Sequence, residues 1–329
     1  MTGRDVFVGT LEFQHPPRIA MTLPDPYPND ACGAGVADDP QFDPPTFDVP
    51  VGRQWMDEWG VVWRSLTDFD KGEVHRGAIE DWSQLDDYRV PDLARPDRYE
   101  PARARFAEVT DKYRLGSLPG FVFNIARKLR KLDTYLCDLL AEPKHIARLH
   151  GMIRDKLGEM IDRWAEVGAD GIMFCEDWGT QDRLMISPAM WRELFKPDFQ
   201  ILCDRAHQQG LHVLMHSCGY IYDIIGDLIE VGVNCLQVDQ PALLRIERLG
   251  EHFGGKISFW CPVDIQKTLQ TRDPAQIEAE AKLLIDRLGS YGGGFIATRY
   301  GGDQALGLDP SVQDIADQAF YTHGQFKTA

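Results

Sequence analysis

Two stretches decide the fold: Gly171-Ile172-Met173-Phe174-Cys175-Glu176-Asp177-Trp178-Gly179 and Leu211-His212-Val213-Leu214-Met215-His216-Ser217-Cys218-Gly219. Each begins as a short apolar run of strand length and stops abruptly on polar residues and a glycine. Each also follows a helical pattern that ends in glycine. Pro143 to Val167 spaces Ile146, Leu149, Ile153, Leu157, Ile161 and Trp164 along one helical face and stops at Gly168, and Pro188 to Gln209 stops at Gly210.

The unit recurs in both directions. Pro101 to Lys112 is helical in pattern and precedes a strand-like Tyr113 to Leu118. Ile221 to Glu230 stops at Gly232, and the strand Asn234 to Val238 runs into Asp239-Gln240-Pro241. Lys256 to Trp260 runs into Cys261-Pro262-Val263-Asp264; Pro274 to Leu288 precedes Gly294 to Thr298, which runs into Arg299-Tyr300-Gly301-Gly302-Asp303. Strand, polar loop, helix, glycine, strand is the grammar of a parallel sheet with crossover helices. An open doubly wound sheet would carry a Gly-rich phosphate fingerprint after an early strand, and none is present. The expected fold class is α/β, a (β/α)8 TIM barrel, with residues 101–329 forming its main part.

Residues 1–100 have another texture. Pro24-Asp25-Pro26-Tyr27-Pro28-Asn29-Asp30 and Asp43-Pro44-Pro45-Thr46-Phe47 break regular elements. Trp55, Trp59, Trp63 and Trp82 are too many aromatics for a solvated linker. The expectation is an irregular, aromatic-rich cap on a single domain spanning 1–329, with a hairpin around Trp59-Gly60-Val61-Val62-Trp63 beside Asp57 and Glu58.

Composition narrows the function. A net charge of −16 and a pI near 5.0 argue against nucleic-acid binding, which needs clustered Lys and Arg. The basic run Arg127-Lys128-Leu129-Arg130-Lys131 reads as a solvated helix face. No apolar stretch is long enough to span a bilayer, and the N-terminus leads into no signal-type run. Seven scattered cysteines suit reduced thiols rather than a disulfide framework, so the cytoplasm is the expected compartment.

In a barrel the residues after each strand converge on one mouth. His216 and Cys218 stand two apart at a strand end and point to the same side, so both can reach one ion. Imidazole with thiolate is a preferred zinc donor set, and a catalytic zinc takes about three protein ligands. Cys261, two strands on, and Glu176, from the preceding unit, are the candidate third donors. Glu176 and Asp177 form an acidic pair at a strand exit, read as a metal ligand, a general acid or a helix cap. Asp239, Asp264 and Asp303 occupy equivalent exits. Arg299 and Tyr300 lie in the last loop, a frequent anion site in such barrels. Cys175 is expected to point into the sheet packing.

The runs Glu176-Asp177-Trp178-Gly179-Thr180-Gln181, Ile186-Ser187-Pro188, Phe195-Lys196-Pro197 and His216-Ser217-Cys218-Gly219 resemble the uroporphyrinogen decarboxylase superfamily. Phe259-Trp260-Cys261-Pro262-Val263-Asp264-Ile265-Gln266-Lys267-Thr268-Leu269 and Gly292-Gly293-Gly294-Phe295-Ile296 extend the likeness. The superfamily holds heme-pathway decarboxylases and cobamide-dependent methyltransferases. Its decarboxylases carry an Arg-rich N-terminal motif with a Met-Arg-Gln-Ala-Gly-Arg core, which has no match here. Its methyl:coenzyme M transferases hold zinc with His-x-Cys plus a Cys in the last strand-end loop. His216 and Cys218 match the first two, whereas Tyr300 stands near the third. Either Cys261 replaces that ligand, or Glu176 completes the site, or no zinc binds.

The resemblance implies a methyltransferase working with a corrinoid (cobalamin) on a partner protein. The small molecule would be a methoxy or methylamine donor or a thiol acceptor. Catalytic roles would fall to Glu176, Asp177, Asp239 and Tyr300, with Trp55, Trp59 and Arg299 binding substrate. A homodimer is compatible with this. The alternatives are a decarboxylase or lyase of an anionic aromatic, with Arg299 on the carboxylate and Asp239 or Asp264 shuttling the proton, and a non-catalytic tetrapyrrole-binding barrel.

Overall fold

The computed structural model describes residues 1–42, 50–67 and 72–326, so the expected break at Asp43-Pro44-Pro45-Thr46-Phe47 lies outside the described residues. Among them the strands are β1 (Ala20–Thr22), β2 (Ala31–Ala34), β3 (Gln54–Met56), β4 (Val62–Arg64), β5 (Glu73–Arg76), β6 (Tyr113–Ser117), β7 (Gly171–Cys175), β8 (His212–His216), β9 (Cys235–Gln237), β10 (Ser258–Cys261) and β11 (Phe295–Thr298). Eight of them form one parallel sheet in the order β1-β11-β10-β9-β8-β7-β6-β2. Its two ends meet where Thr22 bridges Asn29 and Asp30 N donates to Met21 O. This is a (β/α)8 barrel, as the repeated unit predicts.

The expected boundary at residue 100 needs correction. β1 and β2 precede it and are barrel strands, so residues 1–100 are more than a cap. Strands of three and four residues between prolines leave too short a pattern to read. The helix Gly3–Leu11 is a further element of this region, started by a capping box between Thr2 and Asp5. It buries Val6, Phe7 and Leu11 in a cluster with Tyr113, Leu214, Cys235 and Ile296, closing the barrel beneath the strands' starts. Phe7 stacks on Tyr113 at 4.4 Å, and burying such a ring stabilises by roughly 1.5–3 kcal/mol.

The aromatic segment is ordered. β3, β4 and β5 form an antiparallel sheet in which Trp55 pairs with Trp63, their rings 5.7 Å apart and nearly parallel. Asp57 shapes the turn between β3 and β4 by accepting the N–H groups of Trp59 and Val61 and the indole N–H of Trp63. The hairpin therefore matches expectation.

Two other readings change. Pro188 to Gln209 is two helices, Pro188–Leu194 and Lys196–Gln208, because Pro197 offers no N–H to continue the ladder. The basic run is not a solvated face throughout: Arg130 is buried, bonds Asp138 and the carbonyl of Ile79, and lies 4.2 Å over the ring of Trp82. Among the described residues no helix is long and apolar enough to cross a membrane.

Asp30 ties the ring closed. Its buried carboxylate pairs bidentately with Arg18 at 2.6 and 2.7 Å and accepts Met21 N at 2.9 Å. Asp30→Ala should lower stability by about 3 kcal/mol, because it strands the partly buried guanidinium and a strand N–H. Urea unfolding should show a lower midpoint at unchanged slope.

Candidate active site

Alternation along each strand sorts the mouth residues. On β7, Met173 packs into the barrel interior and Phe174 into the outer core, so Cys175 and Asp177 return to the inner side and Glu176 to the outer. Cys175 is accordingly exposed at the mouth, not packed in the sheet as expected. On β8, Leu214 lies inside and Met215 outside, which puts His216 and then Cys218 inside. Register aligns Cys175 with His216, and His216 with Gln237. Two glycines let the loops after β7 and β8 touch backbone to backbone. A Cβ on Gly219, at φ +77, would lie 2.5 Å from Gly179, and one on Gly179 would lie 2.4 Å from Tyr220 N.

Among the described residues, Asp177, His216 and Cys218 bring one donor atom each within 4.8 Å of one another. His216 Nε2 lies 3.3 Å from Cys218 Sγ and 3.6 Å from Asp177 Oδ1. Tetrahedral zinc with bonds of about 2.0–2.3 Å separates its donors by roughly 3.3–3.6 Å, so the spacing fits. Asp177 Oδ1 also accepts the N–H of Cys218 at 3.0 Å, while Arg127 reaches Oδ2 at 3.5 Å. His216 bonds Gln237 through Nδ1, and Gln237 Nε2 donates to Asp239 Oδ1 at 2.7 Å. An outer partner on the remaining ring nitrogen is the usual support of a metal-binding histidine. Burial, with Asp177 and Asp239 nearby, pushes the Cys218 thiol up to about 12. A cation among these groups would reverse that cost.

Neither expected third donor joins this cluster. Cys261 follows Trp260, which faces the barrel interior, so the thiol falls on the opposite side and is buried in the outer core. Glu176 is fully buried and accepts the backbone N–H groups of Phe121, Phe123 and Asn124 at 3.2, 2.8 and 2.9 Å. It anchors the start of the helix Val122–Leu129, and burial pushes its carboxyl up to about 8 against those three bonds. The acid that points inward is Asp177.

A cavity of about 380 Å³ opens beside the cluster, lined by Met173, Gln237, Asp239, Trp260, Thr298 and Tyr300 among others. Tyr300 and Asp239 thus both face this cavity. Burial raises the Asp239 carboxyl, and burial with Asp239 and Cys218 nearby raises the Tyr300 phenol. Arg299 borders the cavity, but its guanidinium turns to Asp314 and Asp317 at 2.7 Å each and to the carbonyl of Pro310, so the expected carboxylate clamp is already occupied. Trp55 and Trp59 are not among the cavity's lining residues; Trp59 lines a separate pocket against Ile125 and Lys128. Asp264 accepts the N–H groups of Ala242, Gln266 and Lys267 and shapes a loop, and Asp303 accepts Gln313 Nε2. Sequence reasoning missed Gln237 and Arg127. An amide between Leu236 and Val238 was the available signal for the first.

The sequence family described as uroporphyrinogen decarboxylase (URO-D) matches residues 76–298. No curated protein matches the sequence. Among solved structures, a methyltransferase from Methanosarcina mazei is similar at TM-score 0.63 and 18% identity, covering 80% of this chain and 75% of that one. D-psicose 3-epimerase from Clostridium cellulolyticum H10 reaches TM-score 0.45 at 10% identity, over 75% of this chain and 88% of its own. At 18% identity the likeness to the methyltransferase is one of fold.

Glu176 and Asp177 are separable by substitution. Asp177→Asn should weaken zinc binding, measured by chelator competition, by about 100-fold or more, the upper end of what an outer partner costs. Glu176→Gln should leave zinc in place and lower stability by about 1–3 kcal/mol, since its NH2 group meets backbone N–H donors. Because folding raises the Glu176 pKa from 4.5 to about 8, its contribution is present at acid pH and lost as pH rises across that interval. Urea midpoints should fall over that range in the parent and less in Glu176→Gln.

Proposed function

The chain belongs to the uroporphyrinogen decarboxylase family, and from that premise we propose that it is a metal-assisted methyltransferase moving a methyl group between a corrinoid and a small molecule. The observation that carries this reading is the inward-facing trio Asp177, His216 and Cys218 beside a cavity of about 380 Å³. Zinc held there would keep a bound thiol ionised near neutral pH, where a free thiol of pKa about 8.5 is mostly protonated.

The chain's own residues supply the rest. Asp177 and an ionised Cys218 would carry two negative charges, which balance a divalent ion, and Arg127 lies 3.5 Å from the far oxygen of Asp177. The cavity lies toward the small end of ligand pockets, which run to about 300–1,000 Å³. It suits a thiol, a methyl ether or a methylamine, with the corrinoid arriving over the mouth on a partner protein. Tyr300, whose phenol borders the cavity, is suited to give a proton to the oxygen or nitrogen that loses the methyl group. Trp260 donates its indole N–H to Thr22 Oγ1 at 3.0 Å, which fixes the ring that walls the cavity opposite.

A decarboxylase of polyanionic substrates is less well supported. The inward groups include the acids Asp177 and Asp239, which would repel a polyanion, and Arg299 is held by Asp314 and Asp317.

The test pairs metal analysis with corrinoid absorbance. Purified protein should carry about one zinc per chain and change the spectrum of methylcobalamin in the presence of a thiol, or of cob(I)alamin with a methylated donor. His216→Ala and Cys218→Ala should each lose the metal and slow methyl transfer by about 100-fold or more, the ~2.7 kcal/mol that such a ratio represents. Uroporphyrinogen turnover without a corrinoid response would overturn the proposal.

A further inference from the structure

We propose that Gln237 and Asp239 are positioning residues that lock the ring tautomer of His216, holding its Nε2 lone pair toward Cys218 and Asp177 before any metal arrives. This rests on the metal-site reading above and deepens it.

A neutral imidazole carries its proton on one nitrogen only, and the partner of one nitrogen decides the state of the other. The partner of Nδ1 is the side-chain amide of Gln237, which can present either an acceptor oxygen or a donor NH2. Left alone, the amide could flip and force the opposite tautomer. Asp239 prevents this. Its carboxylate only accepts, and it takes Gln237 Nε2 at 2.7 Å, so the amide oxygen must face His216. In the neutral ring that oxygen accepts the Nδ1 proton, which leaves Nε2 bare, 3.3 Å from Cys218 Sγ and 3.6 Å from Asp177 Oδ1.

The backbone holds the relay in place. His216 and Gln237 are register partners on adjacent strands, and Ser217 N donates to Gln237 O at 3.2 Å. On the other flank Val238 N donates to Trp260 O at 3.1 Å. These bonds fix the main chain on both sides of Gln237, and the bond to Asp239 sets which end of its amide faces His216. In the other tautomer an N–H would point into the space between the three donors and would have to move before an ion could bind.

The test reads the tautomer directly and does not depend on activity. In metal-free protein labelled with 15N-histidine, His216 is identified among the nine histidines as the signal missing from His216→Ala. It should carry its proton on Nδ1. Gln237→Leu should give a mixture of tautomers and weaken zinc, in chelator competition, by about 10–100-fold. Asp239→Asn, whose own amide can face either way, should also release the mixture with a smaller loss of affinity. Gln237→Glu still accepts the Nδ1 proton and should restore the single tautomer. A proton on Nε2 in the parent protein, or an unchanged tautomer and affinity in Gln237→Leu, would refute the lock. A parent protein with Nδ1 protonated that binds no zinc would leave the lock standing and remove the metal reading instead. The measurement on the parent protein holds even if a variant fails to fold.

Discussion

A β-strand sends successive side chains to opposite faces, and in a closed parallel sheet one face looks into the barrel and the other onto the helices. Everything at this mouth depends on that alternation. Asp177, His216, Cys218, Gln237, Asp239 and Tyr300 lie on the inner side, whereas Glu176, Cys261 and Arg299 leave the strands on the outer side. Glu176 goes to a helix start, Cys261 to the outer core, and Arg299 to the acids of the helix Pro310–His323. One position of shift in these strands would exchange Glu176 with Asp177, Cys261 with Trp260 and Arg299 with Tyr300.

This explains which features the sequence made legible. The strand-to-helix rhythm from Tyr113 onward was readable because each apolar run ends in polar residues and each helix stops at a glycine. The pairing of His216 with Cys218 was readable from their spacing alone. The choice between Glu176 and Asp177 was not, because both faces of a barrel strand are apolar and neither marks the inside. Cys261 was drawn in by its place at a strand end, yet Trp260 occupies the inner position there. β1 and β2 escaped because three or four residues between prolines carry no period.

The acids of the mouth are also anchored differently from one another. Glu176 is surrounded by backbone donors and fixes the helix Val122–Leu129 against the end of β7; Asn124 reinforces the joint by donating to the carbonyl of Cys175 at 2.8 Å. From that helix Arg127 reaches back, holding Asn124 Oδ1 at 3.0 Å and approaching Asp177 at 3.5 Å. A buried structural carboxylate thus sets the position of the helix whose arginine faces the carboxylate of the site. Adjacent acids divide between the helix start and the barrel interior, and the division follows from which face of the strand each occupies.

The two ends of the barrel divide in the same way. Below, Phe7 of the helix Gly3–Leu11 packs with Tyr113, Leu214 and Ile296 of the strands in an apolar cluster that holds the strands at fixed separation. Above it the lining turns polar within one or two residues, from Leu214 to His216 and from Cys235 to Gln237. The polar layer can carry closely spaced acids and a buried thiol, each costly by itself, because the apolar layer beneath and the paired strands leave those side chains few positions to relax into. Under the proposed metal reading, a cation among Asp177, His216 and Cys218 would offset the cost that burial and the nearby acids place on the thiolate, and the rigid floor would hold the three donors at a spacing fit for it.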